Sequence, residues 1–401
     1  MDAATGARMA GGYGALPRGG PVFVLSEEQQ ALASAVRDFC VAEIAPLARE
    51  DDEKEHFRKD LIHAMGEQGL VGVATSEDYG GLGLGYLDYC VVLEEIAKVS
   101  SSYAVSVAVT GLPQVILTKF GTDAQKDRWL PGLASGEYLG AFALSEPDSG
   151  SDAASLSTTA VRDGDDYVLN GTKFWITHGG YADIYIVMAR TGGKGSRGIS
   201  AFIVPGDAKG LSFGRKEEKM GMRASPTVEV ILEDVRVPAT DRVGDEGIGF
   251  TVAMTALDSG RITIGATAVG LAQAALDYSS RYALERKQFE TSIIDFQGVG
   301  FMLADMMTGI ESARLLVHKA AWLKDNGHPF SHVAAMAKLA ATDTAMSATT
   351  DAVQVLGGYG YVREHPVERY MRDAKVMQIV EGTNQIQRLV LARHIKRGLL
   401  K

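Results

Sequence analysis

The sequence predicts a mainly α-helical chain with a β-domain set in its middle, and three observations carry that prediction. Residues 25–138 hold apolar side chains at helical spacing. Residues 139–245 change to short runs rich in Val, Ile, Phe, Tyr and Thr, divided by Gly/Asp turns such as the one at 162–166. Residues 246–401 return to the helical period and keep it. The expected plan is therefore an N-terminal α-helical domain, a middle antiparallel β-barrel-like domain and a C-terminal four-helix bundle. Residues 1–24, rich in Gly and Ala, read as a disordered tail, and no internal repeat is visible.

Within the first domain, Ser26 and Gln29 form a capping box, and Leu32, Val36, Phe39 and Ile44 give the following helix one buried face. Helical patterns follow at about 57–69, 87–99, 103–119 and 123–134, interrupted by a glycine-rich turn at 78–83. Those glycines do not form the GxGxxG pattern after a strand, which excludes a Rossmann reading there. Strands are expected at 139–146, 167–176, 183–190, 198–204 and 227–233, and long helices at 248–283, 296–325, 331–355, 366–378 and from 385. Asn326-Gly327 and Gly357-Gly358 mark helix ends.

Bulk properties exclude several classes of function. A net charge of −10 on 401 residues argues against nucleic acid and anionic membrane as partners. Two cysteines, Cys40 and Cys90, supply neither a disulfide framework nor a metal cluster and suit a reducing, cytoplasmic interior. No apolar run approaches the ~20 residues of a membrane span, so no membrane insertion is expected. The N-terminal segment lacks a signal-peptide core and the Arg/Ser bias of a transit peptide.

Four stretches carry candidate chemistry. The loop 143–152 offers the small donors Ser145, Ser149 and Ser151 and an open Gly150, suited to a ligand with several carbonyls and phosphates. Lys173 to His178 closes a strand; Trp175 beside Thr177 could face a flat ring and donate to it, while a single histidine such as His178 is more often structural. Gln354 to Glu364 ends a helix in glycines whose amides could cradle a pyrophosphate, with Arg286 as cationic counterpart. Glu381 lies between two helices, followed by Gly382 and by Thr383 and Asn384, both good caps. Taken alone it could be an acidic residue favoured by a helix dipole.

The combination is less common than its parts. The loop with Glu146, Gly150 and Asp152, the stretch 354–373 and Glu381-Gly382-Thr383, together with 82–88 and 93–96, resemble the acyl-CoA dehydrogenase family over residues 25–398. The resemblance implies FAD as cofactor, bound between the β-domain and the bundle and partly across a subunit boundary. It implies an acyl-CoA substrate, electron-transfer flavoprotein as partner, and a homotetramer built as a dimer of dimers. It assigns Phe142, Leu144, Ser145, Gly150 and Ser151 to the flavin, with Ser151 also near the thioester. Trp175, Ile176 and Thr177 would flank the flavin ring. Arg286, Gln288, Phe296, Gln297, Gln354, Val355, Leu356, Gly357 and Gly358 would reach the FAD of a neighbouring subunit. Thr383, Asn384 and Gln385 would close on the flavin, and Asp258, Ser259, Gly260, Arg261 and Gly382 would bind substrate.

The same resemblance makes Glu381 the base that removes the α-proton of the thioester. Some members carry the base at the position of Gly260, which has no side chain here. Two departures stand out: Glu290 follows Phe289 where Gly is common, and Val380 precedes the base where some branches have an aromatic. Three competing readings remain. A di-iron bundle needs two Glu-x-x-His motifs, and only Glu53 to His56 offers one. A non-catalytic acyl-CoA binder would have no use for Glu381. An oxidase of the family would add a C-terminal helical domain. Short- to medium-chain acyl groups, straight or methyl-branched, are expected, with the pocket floor near 104–117.

Overall fold

The computed structural model describes residues 24–398, so nearly all of the expected tail lies outside the described residues. Six α-helices come first: α1 (Glu27–Phe39), α2 (Ala45–Lys54), α3 (Lys59–Glu67), α4 (Tyr86–Val99), α5 (Ser101–Phe120) and α6 (Asp123–Ala134). The capping box is present: Gln29 N donates to Ser26 Oγ at 3.2 Å, and Ser26 N donates to Gln29 Oε1 at 3.1 Å. A π turn at Cys40–Ile44 links α1 to α2, and Val36, Cys40 and Ile44 are all buried through it.

Helix α5 corrects one expectation. Its 20 residues, at mean hydropathy 1.2, suffice by length and composition to cross a bilayer. It packs against α4, α6 and the middle domain, and 61% of its most apolar window is buried inside the protein. It is apolar because it is the core helix of its layer, with Gln114 donating to the carbonyls of Val71, Thr110 and Leu133.

Eight strands form the middle sheet: β1 (Gly140–Ala143), β2 (Thr159–Asp163), β3 (Asp166–Thr177), β4 (Ile184–Arg190), β5 (Ile199–Pro205), β6 (Leu211–Phe213), β7 (Thr227–Pro238) and β8 (Arg242–Val243). The order is β6-β7-β3-β2-β4-β5-β8, with β1 beside β4. The sheet is mixed rather than purely antiparallel, since β1 runs parallel to β4 and β2 meets β4 in parallel at Thr159 and Arg190. The chain between β1 and β4 holds β2 and β3, and that between β2 and β4 holds β3, so both parallel pairs are reached across intervening strands. Strands β2 and β6 had little sequence signal: β2 buries only Ala160 of its five residues, and β6 has three residues.

The rest is helical: α7 (Gly249–Glu285), α8 (Gln297–Asp325), α9 (Ser331–Leu356), α10 (Val367–Met377) and α11 (Asn384–Lys396). Between α7 and α8 lies the hairpin β9 (Lys287–Gln288) and β10 (Thr291–Ser292). Helix α7 packs along α9 and also along α4 of the first domain. A Cβ at Gly270 would meet the Glu94 carbonyl oxygen at 2.3 Å, so glycine permits that close crossing. Gly327 and Gly357 stop α8 and α9 with φ of 68° and 60°, as the sequence suggested. A 3₁₀ turn, Gly357–Tyr361, then carries the chain towards α10.

Candidate active site

The link between α10 and α11 is a tight turn that leaves Glu381 and Gly382 at φ of 55° and 85°. A glutamate in the left-handed region is strained by about 1 kcal/mol or more, and such strain concentrates at functional sites. The turn is held from below. Gln387 Nε2 donates to the carbonyls of Glu381 at 3.1 Å and Gly382 at 2.7 Å, and Lys338 Nζ donates to Gly382 O at 3.0 Å. Thr383 caps α11, accepting from Ile386 N at 3.2 Å.

The Glu381 carboxyl lies against Gly260 of α7. A Cβ built on Gly260 would sit 2.4 Å from Oε2 and 2.7 Å from Cδ. Oε2 is enclosed and has no hydrogen-bond partner among the described residues. Burial raises its pKa from 4.5 to about 7, opposed by the positive charges of Arg261 and Lys338. Among the described residues none accepts from the Glu381 backbone N–H. A buried carboxylate with a free oxygen, next to a free amide, has the donor set for proton removal beside a developing oxyanion.

Around this centre Arg261 pairs with Asp258, and Asp258 accepts from Ser331 Oγ at 2.9 Å. Ser259 accepts from Lys324 Nζ at 2.7 Å. The polar groups of Asp258 and Ser259 are thus engaged with neighbouring helices, whereas Gly260 and Gly382 lie directly beside Glu381. Asn384 also departs from expectation. Its side chain turns into the bundle, donating to Thr342 Oγ1 at 2.9 Å and Asp343 Oδ1 at 2.7 Å and accepting from Lys338 at 2.8 Å. A buried amide must satisfy both ends, so only the backbone of Asn384 remains for a ligand. Gln385 is exposed beside it.

The β-domain builds a second wall. Phe174 N donates to Ser145 O at 2.9 Å, which ties the 144–151 loop to the end of β3. Lys173, fully buried, donates to Leu144 O at 3.1 Å and Glu146 Oε1 at 2.7 Å. Glu146 also accepts from the backbone N–H groups of Ser157 and Thr158; against burial, the Lys173 ammonium first and these donors after it hold its pKa down at about 2. Burial lowers Lys173 to about 8, so the pair is ionic at neutral pH. A bulge between Lys173 and Ile176 rotates Trp175 outward at φ 62°, leaving it 61% exposed. Thr177 is half-buried next to it, and Phe142 is half-buried on β1. Leu144 and Ile176 bury their side chains in the core, so any ligand contact from them is through backbone. Gly150 and Ser151 are exposed, with nothing within 4 Å of a Cβ at Gly150. His178 is structural, as expected: Nδ1 lies 3.0 Å from Gly140 O, and burial lowers its pKa to about 4.

A third grouping lies elsewhere on the bundle. Arg286, Gln288, Gln354, Val355, Leu356, Gly357 and Gly358 line one cavity of about 630 Å³ together with Tyr282 and Tyr359. The Arg286 guanidinium lies 5.8 Å from the Tyr359 ring centre. Phe296 and Gln297 begin α8 next to it. Glu290 stands at φ 65° after Phe289 at φ 49°, the two central positions of a two-residue hairpin turn that favours glycine at the second. The open indole, the open loop glycine, and the glycine turn facing an arginine-lined cavity suit a flat ring and a pyrophosphate, so these residues fit FAD.

Lys338, Gln387 and Lys173 were not singled out from sequence. Lys338 carried a signal: it is the one charged position in a buried stripe with Ala334, Ala337, Ala341, Thr342 and Ala345 on α9.

Comparison with known proteins agrees with this geometry. Family models for the N-terminal, middle and C-terminal domains of acyl-CoA dehydrogenase match residues 26–137, 141–235 and 247–396. The chain belongs to the acyl-CoA dehydrogenase family of FAD-dependent oxidoreductases. A short-chain specific acyl-CoA dehydrogenase of Clostridium acetobutylicum is 46% identical over 377 residues, covering 94% of this chain and all of the relative. Butyryl-CoA dehydrogenase from Megasphaera elsdenii superposes with a TM-score of 0.91 at 44% identity, covering 93% of this chain and 99% of that one. A chain from a structure concerned with the electron transferring flavoprotein of Acidaminococcus fermentans has TM-score 0.91 and 45% identity, with the same coverage.

Proposed function

We propose that the protein dehydrogenates a short-chain acyl-CoA at its α,β-bond to the trans-2-enoyl-CoA, with Glu381 as the base. One observation carries the reading: the enclosed, unpartnered Glu381 Oε2 set against Gly260. Glu381 takes the α-proton, and its own backbone N–H donates to the thioester oxygen as enolate charge builds. A positioned base is worth about 10²–10⁴ in rate, and a pre-set oxyanion donor about 3–4 kcal/mol. Gly260 leaves the space in which the carboxylate sits. Bound FAD supplies the acceptor for the β-hydride. Trp175 and Thr177 would lie along its ring, and Ser145, Gly150 and Ser151 near its edge.

The glycine turn at 357–358 and Arg286 would hold the pyrophosphate end of FAD. Their cavity shares no lining residue with the Glu381 centre, an arrangement that supports a cofactor completed by a neighbouring subunit of a homo-oligomer; the homotetramer rests on the family resemblance. The short-chain preference rests on the Clostridium and Megasphaera relatives, and an electron-transferring flavoprotein as electron acceptor on the Acidaminococcus neighbour. A panel of C4 to C16 acyl-CoAs, assayed with an artificial acceptor and with peroxide detection, tests these points. Highest kcat/KM at C4–C6 without peroxide is expected. A C12–C16 optimum, or stoichiometric peroxide, would overturn the substrate or acceptor assignment.

A further inference from the structure

We infer that Lys338 is a positioning residue for Glu381: from α9 it clamps the turn that aims the carboxylate and places an ammonium group behind it. The inference rests on Glu381 being the base.

Lys338 is fully buried in the Ala/Thr stripe of α9, where an ammonium persists only if well partnered. Its partners are the Gly382 carbonyl at 3.0 Å and the Asn384 side-chain oxygen at 2.8 Å, the groups one and three residues beyond Glu381. It therefore grips the chain behind the carboxylate and leaves the reacting face free. Thr342 Oγ1 accepts from the Asn384 amide at 2.9 Å and donates to Lys338 O at 2.8 Å, which ties the same side chain to α9. The charged groups facing this pair are few. Arg261 of α7 is bound to Asp258, and Asp343 of α9 is held by Gln378, Asn384 and Arg388. Of the two cations acting on Glu381, Arg261 has the larger effect and also donates to the Glu381 carbonyl at 3.5 Å, but it is paired with Asp258, whereas Lys338 has no carboxylate partner among the described residues. Burial lowers the Lys338 pKa to about 7, with the Glu381 and Asp343 charges acting to raise it and Arg261 acting to lower it further. The Lys338 and Glu381 charges each favour the other's ionised form.

The test uses flavin-loaded K338Q, K338R and K338M with butyryl-CoA. Bound flavin, kcat, KM and the pH dependence of kcat are read for each. K338Q keeps a donor for the same acceptors but no charge. Its pH midpoint should rise by about one unit, the low end of what a neighbouring charge does to a carboxyl. K338R should stay near the wild-type midpoint. K338M should lose about 10–100-fold in kcat through a misplaced base, with KM little changed. A wild-type midpoint in K338Q, or an equal shift in K338R, would overturn the inference; both remain decisive should K338M fail to fold. E381Q is run in parallel. Turnover by E381Q would defeat the base assignment itself, whereas an inactive E381Q with a wild-type K338Q profile would defeat only the role of Lys338.

Discussion

Replacing Gly260 by alanine adds one methyl group to the middle of α7, at the place where the Glu381 carboxylate rests. The new Cβ would stand 2.4 Å from Oε2, 2.7 Å from Cδ and 3.2 Å from Oε1. Ordinary contact begins near 3.4 Å, so the carboxylate must retreat by about 1 Å. A misplacement of about 1 Å typically costs about 10²-fold in rate. The helix itself should tolerate the change, since alanine is favoured over glycine in a helix interior by up to about 1 kcal/mol. Holoenzyme G260A should therefore keep its flavin and its Tm while the rate of flavin bleaching by butyryl-CoA falls about 100-fold. An unchanged bleaching rate in folded, flavin-loaded G260A would refute the packing argument. A fall matched by loss of flavin would refute it as well, because the damage would then lie in the fold.

Three further expectations follow from charge and backbone geometry. Glu381 titrates near 7 in the fold and near 4.5 unfolded, so its ionisation works against folding as pH rises through that window. E381Q should consequently be more stable than the wild-type protein at pH 8, by up to about 3 kcal/mol, and no more stable at pH 4, as read by urea unfolding of flavin-free protein. Glu290 occupies a left-handed turn position, and E290G should relieve about 1 kcal/mol of local strain, measurable as slower amide exchange in the hairpin at 287–292. K173M would leave Glu146 buried without its cation and should cost about 3–5 kcal/mol, seen as a large drop in Tm and in flavin retention.

The three-part plan and the long helices were legible in the sequence because their signals are periodic and local. The Ser26 capping box, the Gly327 and Gly357 stops and the break at Glu381 all stand where the pattern placed them. Strand β2 and the parallel pairing of β1 with β4 were not legible, because β2 buries a single residue and pairing across two intervening strands leaves no local trace. Helix α5 stands where its pattern placed it; only its apolarity was understated, since core burial and membrane burial select the same residues. At the site, motif spacing found Glu381, Trp175 and the glycine turn. It could not show that Asn384 faces inward, nor that Lys338 and Gln387 hold the turn, since Lys338 reaches it from α9, distant in sequence, and the inward or outward direction of Gln387 on α11 is not fixed by its spacing. Nor could it show that Glu290 adopts the glycine conformation despite its side chain.

The central claim is that Glu381 removes the α-proton, and it can be isolated from the redox step. An acyl-CoA with sulfur in place of the β-carbon has no β-hydride to give, yet its α-hydrogens remain acidic. Incubated in D₂O with flavin-loaded wild-type protein, it should exchange α-hydrogen for deuterium, with a rate that rises with pH through about 7. The E381Q holoenzyme should exchange about 10²–10⁴-fold more slowly while binding the same ligand. Exchange by flavin-loaded E381Q within a few-fold of wild type would contradict the account.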